Sequence, residues 1–269
     1  MAQNSANRLT SFDFDGFTLH ILSEGQQQGN KSILLGAADS IIEKYTEKGS
    51  FPNAVNCFLV TTQNGKNILV DAGFGKLLFD NLNALNLKPE DIDCILLTHL
   101  HGDHIGGLVK DGKITFPNSQ VYMSRNEFDY WKKQNNRLAQ DVLEKYEKQI
   151  HLFVPNKIDE KRVTIIKEIP ELSAIAAYGH TPGHTMYLFN SEKPLLIWGD
   201  LTHAMAVQMP HPEISVTYDV NPEISAESRL EVLDYVSRNR IFIAGMHIAY
   251  PAVGIIKTVV LGKSYVFVP

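Results

Sequence analysis

The chain has 269 residues, 44% of them apolar, and a formal net charge of −5 at neutral pH. That length suits one domain over residues 1–269 if two packed sheets with covering helices use all of it. The acidic balance argues against nucleic acid as partner, because phosphate backbones are bound by basic faces, and the lack of any run of about 18 apolar residues excludes a membrane-spanning helix.

Residues 1–10 are polar and lack the apolar core of a secretory signal. This points to the cytoplasm, or to the periplasm or exterior for a chain whose signal has been removed. Phe12-Asp13-Phe14 and residues 17–22 flank Asp15-Gly16, a hairpin signal with alternating apolar positions on both arms. His20 faces the other side of the second arm from Phe17, Leu19 and Ile21, and a lone histidine is weak evidence for a ligand. Residues 26–31 read as a polar loop. Residues 39–48 read as a short helix, which Phe51-Pro52-Asn53 breaks before the next strand. Residues 55–61 and 67–70 form a second hairpin about Asn64-Gly65, and its second arm runs into Asp71-Ala72-Gly73. A helical face over 76–87 and a short helix from Pro89 precede the apolar run Ile92-Asp93-Cys94-Ile95-Leu96-Leu97, which reads as a buried strand. The two cysteines, Cys57 and Cys94, lie in such apolar runs and read as small buried hydrophobes.

Where that strand ends, Thr98-His99-Leu100-His101-Gly102-Asp103-His104 crowds three imidazoles and a carboxylate into six positions. Neutral imidazole nitrogens and carboxylate oxygens are what zinc and similar divalent cations take as ligands, and the glycines permit the sharp turn needed for convergence. The motif resembles the signature loop of the metallo-β-lactamase superfamily. The resemblance implies an α/β fold, an αβ/βα sandwich of two mixed sheets packed face to face with helices outside. It also implies one or two metals at the sheet edge, an Asp at 71 bracing the histidine loop, and further ligands downstream in a set order.

Beyond the loop, residues 114–116 and 120–123 read as strands. Residues 125–150 read as one or two exposed amphipathic helices, a covering layer rather than a lid. A strand over 173–177 leads into Gly179-His180-Thr181-Pro182-Gly183-His184. On spacing alone either imidazole reaches a metal; the resemblance assigns the ligand to His180 and support to His184. Residues 186–190 and 195–199 form a hairpin that delivers Asp200 at the end of Leu195-Leu196-Ile197-Trp198-Gly199. A carboxylate there is costly to bury unless paired or metal-bound, with a strand-end cap as the plainer reading. The clearest helix covers 223–240, with Ala226, Leu230, Val232, Leu233 and Val236 on one face and Asn221-Pro222 at its start. The strand 241–245 then delivers His247, and strands over 253–258 and 265–268 close the sheet.

The resemblance covers nearly the whole chain and implies that His99, His101 and His180 hold one metal and Asp103, His104 and His247 the other, with Asp200 bridging. Seven ligands favour two divalent ions, zinc first, with iron or manganese as substitutes. An Asp at 200, where antibiotic-hydrolysing dizinc lactamases carry Cys, and a His at 101, where diiron flavoproteins carry an acid, argue against both. The stretches 198–208 and 247–265 are most similar to the branch holding methyl parathion hydrolase and related lactonases. Quorum-quenching lactonases of the better-known type carry a Tyr where His203 stands, and His203 is either a substrate contact or a packed strand-end residue. The implied activity is a dinuclear hydrolase that uses a metal-bridging hydroxide to cleave a lactone, ester or phosphotriester, with Asp103, Asp200 and His203 in the catalytic set. A glyoxalase II-like thioesterase and a non-catalytic metal-binding scaffold or sensor are the alternatives. The expected partner is a small-molecule substrate, with a homodimer implied only by the branch.

Overall fold

The computed structural model describes residues 9–160, 165–260 and 262–269, so the polar start of the chain lies outside the described residues as far as residue 8. In chain order the strands begin β1 (Leu9–Phe14), β2 (Phe17–Asn30), β3 (Leu34–Leu35), β4 (Ser50–Thr62) and β5 (Asn67–Val70). They continue with β6 (Cys94–Leu96), β7 (Val109–Lys110), β8 (Lys113–Ile114), β9 (Gln120–Ser124), β10 (Ile150–Phe153) and β11 (Leu172–Ala176). The last are β12 (Thr185–Phe189), β13 (Leu195–Ile197), β14 (Ser215–Val216), β15 (Phe242–Ala244), β16 (Val253–Val260) and β17 (Ser264–Val268). The helices are α1 (Asp39–Tyr45), α2 (Leu78–Ala84), α3 (Gly102–Ile105), α4 (Arg125–Trp131), α5 (Arg137–Lys145), α6 (Met205–Gln208) and α7 (Pro222–Asn239). None among the described residues is long and apolar enough to cross a membrane. The chain divides into two compact units, one of residues up to Gly25 with Val55–Val154, the other of Gln26–Ala54 with Pro155–Pro269.

In the first unit the sheet order is β1-β2-β4-β5-β6-β9-β10. The pairs β1/β2 and β4/β5 are antiparallel, whereas β5, β6, β9 and β10 run parallel. Parallel strands need cover on both faces, and Cys94-Ile95-Leu96 is accordingly buried throughout. Leu59, Leu69, Ile95 and Val121 pack with Leu78 and Leu82 of α2, Trp131 of α4 and Val142 of α5 in one apolar cluster. Both cysteines are buried, and burial pushes the Cys57 thiol well above its ordinary pKa. Because β5 and β6 are parallel, Asp71 and the histidine loop leave the sheet at the same edge, the carboxyl ends where α/β sheets bind ligands.

The second unit holds the sheet β11-β12-β13-β15-β16-β17. Its β13/β15 pair is parallel and the others antiparallel, so β11, β13 and β15 all point one way. Their carboxyl ends lead into His180, Asp200 and His247 respectively. A two-stranded sheet of β3 and β14, with Phe51, Val207 and Ile214 packed by Ile33 and Leu34, forms a smaller apolar cluster.

Several local expectations are corrected. Residues 26–30 continue β2 rather than forming a loop, because their polar side chains find partners. Gln27 Nε2 donates to Asn53 Oδ1 at 3.1 Å and Ser50 Oγ to Gln28 Oε1 at 3.1 Å. Phe51-Pro52-Asn53 lies inside β4, beyond Phe58–Thr61 where β5 pairs, so Pro52 interrupts no bond of that ladder. Of residues 114–116 only Ile114 is strand, as the end of β8, the short hairpin partner of β7. Residues 125–150 give α4 and α5, but the period breaks after Tyr146, and Ile150–Phe153 pairs in parallel with β9. In α7 the buried face is Ser225, Arg229, Val232, Leu233 and Val236, with Ala226 and Leu230 only half-buried.

Tyr146 ties the first unit together: its buried hydroxyl donates to Leu108 O at 2.9 Å and accepts Phe116 N–H at 3.1 Å. Tyr146→Phe removes the partner of the Phe116 N–H and leaves Leu108 O with the Thr115 N–H alone, and is expected to lower unfolding free energy by about 1–2 kcal/mol, read by urea denaturation.

Candidate metal centre

The first unit sets its histidines by bonding them from behind. Asp71 follows β5 in a left-handed conformation, φ 56°, that L-residues seldom adopt. Its buried carboxylate accepts Thr98 N–H at 2.8 Å, Thr98 Oγ1–H at 2.7 Å and His104 Nδ1–H at 2.7 Å. Burial pushes the Asp71 carboxyl up, against the opposing pull of His104 and Thr98. With its hydrogen given to Asp71, the Thr98 hydroxyl accepts from His99 Nδ1 at 3.0 Å. In their neutral forms both His99 and His104 therefore keep Nε2 as the unprotonated nitrogen. His99 Nε2 lies 3.0 Å from His101 Nδ1, and Asp103 Oδ2 lies 3.8 Å from His104 Nε2. The loop closes tightly because Gly107 packs on the chain after β5, where a Cβ would stand 2.4 Å from Ala72 O.

In the second unit three imidazole nitrogens converge on one carboxylate oxygen. Asp200 Oδ2 lies 3.2 Å from His180 Nε2, 3.0 Å from His203 Nε2 and 3.1 Å from His247 Nε2, all buried. His180 Nδ1 donates to Asp219 Oδ1 at 2.8 Å and His247 Nδ1 to Ala54 O at 2.9 Å. In their neutral forms these two rings aim lone pairs at an anion, an arrangement that a bound cation would satisfy and that protonation satisfies without one. Against the burial that would lower it, the carboxylates of Asp200 and Asp219 hold His180 at a pKa of about 9 in the metal-free chain. Burial, against the pull of Asp200 and with the help of His247 and His180, lowers His203 to about 4, so it is neutral, and its buried Nδ1 has no hydrogen-bond partner. Nε2 then carries the proton and donates to Asp200. His184 has both nitrogens engaged by backbone: Nδ1 donates to Ala177 O and Nε2 accepts Asp200 N–H, each at 2.9 Å.

Divalent cations fit both sets of residues. Each set offers imidazole nitrogens beside a carboxylate, braced by acceptors that fix the tautomer, which is the environment of metal-ligating histidine. Asp200, His203 and His247 also stand close enough to hold one ion by themselves.

Four supporting residues escaped the sequence reading. Asp219 sits 39 positions from His180, with no motif around it. Glu127 falls in a charged helix that reads as exposed, yet it is buried and accepts Leu100 N–H at 2.9 Å and Trp131 Nε1–H at 2.6 Å. A Ser-x-x-Glu capping pattern at Ser124 was its one local signal. Gln208 Oε1 accepts His203 N–H at 2.8 Å and Ala204 N–H at 2.9 Å. Arg229 is fully buried within α7, and burial lowers its pKa to about 10.

The sequence profile of the metallo-beta-lactamase superfamily matches residues 51–244, more than half of the chain. The chain belongs to that superfamily, and its class is that of the metallo-hydrolases. Among individual proteins, it is 32% identical over 149 residues to the uncharacterized protein YobT of Bacillus subtilis, covering 54% of this chain and 61% of that one. It is 28% identical over 170 residues to an N-acyl homoserine lactonase of Bacillus cereus, covering 52% and 60%. Exodeoxyribonuclease WalJ of Streptococcus pneumoniae shares 44% over 66 residues, 24% of each chain. The chain thus spans about six-tenths or less of these curated relatives. The crystal structure of the hydrolase AbOPH, of the beta lactamase superfamily, superposes with a TM-score of 0.84 at 26% identity over 99% of this chain and 98% of that one. The dizinc quorum-quenching lactonase AidC superposes with a TM-score of 0.84 at 23% identity over 97% of both, a likeness of fold. The α/β architecture of mixed sheets with helices is common to all three.

Asp219→Asn puts an amide behind His180 and weakens the preference for the Nδ1–H tautomer. Zinc affinity is expected to fall about 10- to 100-fold, with secondary structure unchanged, in a competition titration against a chromogenic chelator.

Proposed function

We propose that the two sets of residues act as one dinuclear centre within a single catalytic domain, and that the protein hydrolyses a small lactone, ester or phosphotriester. The observation that carries this reading is the convergence of braced imidazole nitrogens on Asp200 Oδ2. His99, His101 and His180 would hold one ion and Asp103, His104 and His247 the other, with Asp200 as the seventh ligand. Zinc suits the imidazole-rich donor set best.

Two such ions, when bound, lower the pKa of a water, polarise a carbonyl or phosphoryl oxygen and offset the charge that develops on it. The chain's own contribution is positional. Asp71 and Thr98 hold His99 and His104 with Nε2 forward, and Asp219 and Ala54 do the same for His180 and His247. Asp103 adds a carboxylate, and Asp200 or a water would carry the proton released by the attacking water to the leaving group. His203, neutral and donating to Asp200 Oδ2, keeps that carboxylate in place and stands beside the substrate. The relatives support a lactone substrate: one is an N-acyl homoserine lactonase and AidC is a quorum-quenching lactonase.

The test is hydrolysis by zinc-reconstituted protein against a chelated control. The panel is an acyl-homoserine lactone, an aromatic lactone, an aryl ester, a dimethyl aryl phosphotriester and a chromogenic β-lactam. Zinc-dependent turnover of a lactone, ester or phosphotriester is expected, with the β-lactam inert; silence on every compound by protein carrying its metal contradicts the proposal. His101→Ala and Asp103→Ala are expected to lower kcat/KM by several orders of magnitude while the circular dichroism spectrum stays that of the parent. An active Asp103→Ala variant contradicts the ligand assignment.

A further inference from the structure

Arg229 is the one arginine in the core of the second unit among the described residues, and every donor direction it uses ends on a chain segment that carries part of the centre. Nε donates to Leu201 O at 2.8 Å, the carbonyl directly after Asp200. Nη1 donates to Pro212 O at 2.7 Å and Ile214 O at 2.9 Å, on the segment that leads through β14 to Asp219. Nη2 donates to Ser225 Oγ at 3.2 Å and lies 3.9 Å from Asp219 Oδ2. Ser225 in turn packs against the histidine segment, since a Cβ on Gly179 would meet Ser225 N at 2.1 Å.

Charge explains why a guanidinium is needed there. Asp219 is a buried carboxylate whose job is to accept from His180 Nδ1. A histidine that ligates a metal through Nε2 is neutral and gives Asp219 no counter-charge, and a buried carboxylate without one is strongly disfavoured. A fixed guanidinium at 3.9 Å supplies that charge, and its planar fork lets the same group hold three carbonyls in place. We infer that Arg229 is a positioning residue of the metal centre, acting through Asp219 on His180 and through Leu201 on Asp200, an inference that rests on the metal-site reading above.

The test is zinc affinity by chelator competition, together with the visible spectrum of the cobalt-substituted protein, for Arg229→Met, Arg229→Lys, Asp219→Asn and Arg229→Met/Asp219→Asn. Arg229→Met is expected to weaken zinc binding about tenfold or more and to shift the cobalt bands. Arg229→Lys, which keeps the charge but not the fork, is expected to recover part of the affinity. The double variant is expected to bind about as well as Asp219→Asn alone, because both changes break one chain of contacts. Tyr146→Phe, destabilised in the other unit, is the control expected to bind zinc as the parent does. Parent-like zinc affinity and cobalt bands in Arg229→Met, or losses that multiply in the double variant, overturn the inference; should Arg229→Met fail to fold, a parent-like Arg229→Lys does the same. Failure of the parent protein to bind zinc at all is a separate result that removes the metal-site reading itself.

Discussion

A histidine whose Nδ1–H is given to an acceptor has only Nε2 left as a lone pair, and this constraint organises the molecule around residues 99, 104, 180 and 247. The acceptors differ in kind: a threonine hydroxyl for His99, carboxylates for His104 and His180, a backbone carbonyl for His247. Each is itself held by further bonds, so ring orientation is set by the fold rather than by the ion. Preorganisation of this sort lowers the ordering cost of binding, and it requires polar groups to be buried in quantity. Asp71, Thr98, His99, His104, His180, Asp200, Asp219 and His247 are all buried. The core must be built to satisfy them.

The sheets provide the edges from which these groups emerge. Short, wholly apolar strands such as Cys94–Leu96, Leu195–Ile197 and Phe242–Ala244 end abruptly in polar loops. Parallel pairing of β5 with β6 and of β13 with β15 puts successive carboxyl ends side by side. Glycines then let the loops fold back: Gly107 against Ala72, and Gly179, at φ +118°, against the first turn of α7. Asn221, whose side chain caps Ile224 N–H at 3.0 Å, starts that helix one strap away from His180, since Val220 N–H donates to His180 O and Asn221 N–H to Gly179 O.

Much of this was legible in the sequence because it is local. The histidine loop lies within seven residues, and Asp200 and His247 each follow a run too apolar to end in a charged or imidazole group without reason. Asp71 was reached only through the family resemblance, and its three bonds now give the physical cause. What stayed hidden depends on contacts distant along the chain. Arg229 meets Leu201 across 28 positions and Glu127 meets Leu100 across 27, and both sit on helices whose pattern makes them read as solvated. A buried charge satisfied by backbone carbonyls leaves no periodic signature. The polar continuation of β2 was missed for a similar reason, as its partners lie across a strand pair rather than in an apolar face.

The proposed dinuclear centre fixes a metal stoichiometry. Elemental analysis of protein purified, stripped and reconstituted with zinc tests it most directly. Two equivalents per chain are predicted, falling to one or fewer in Asp200→Ala; a parent ratio near one per chain contradicts the dinuclear centre.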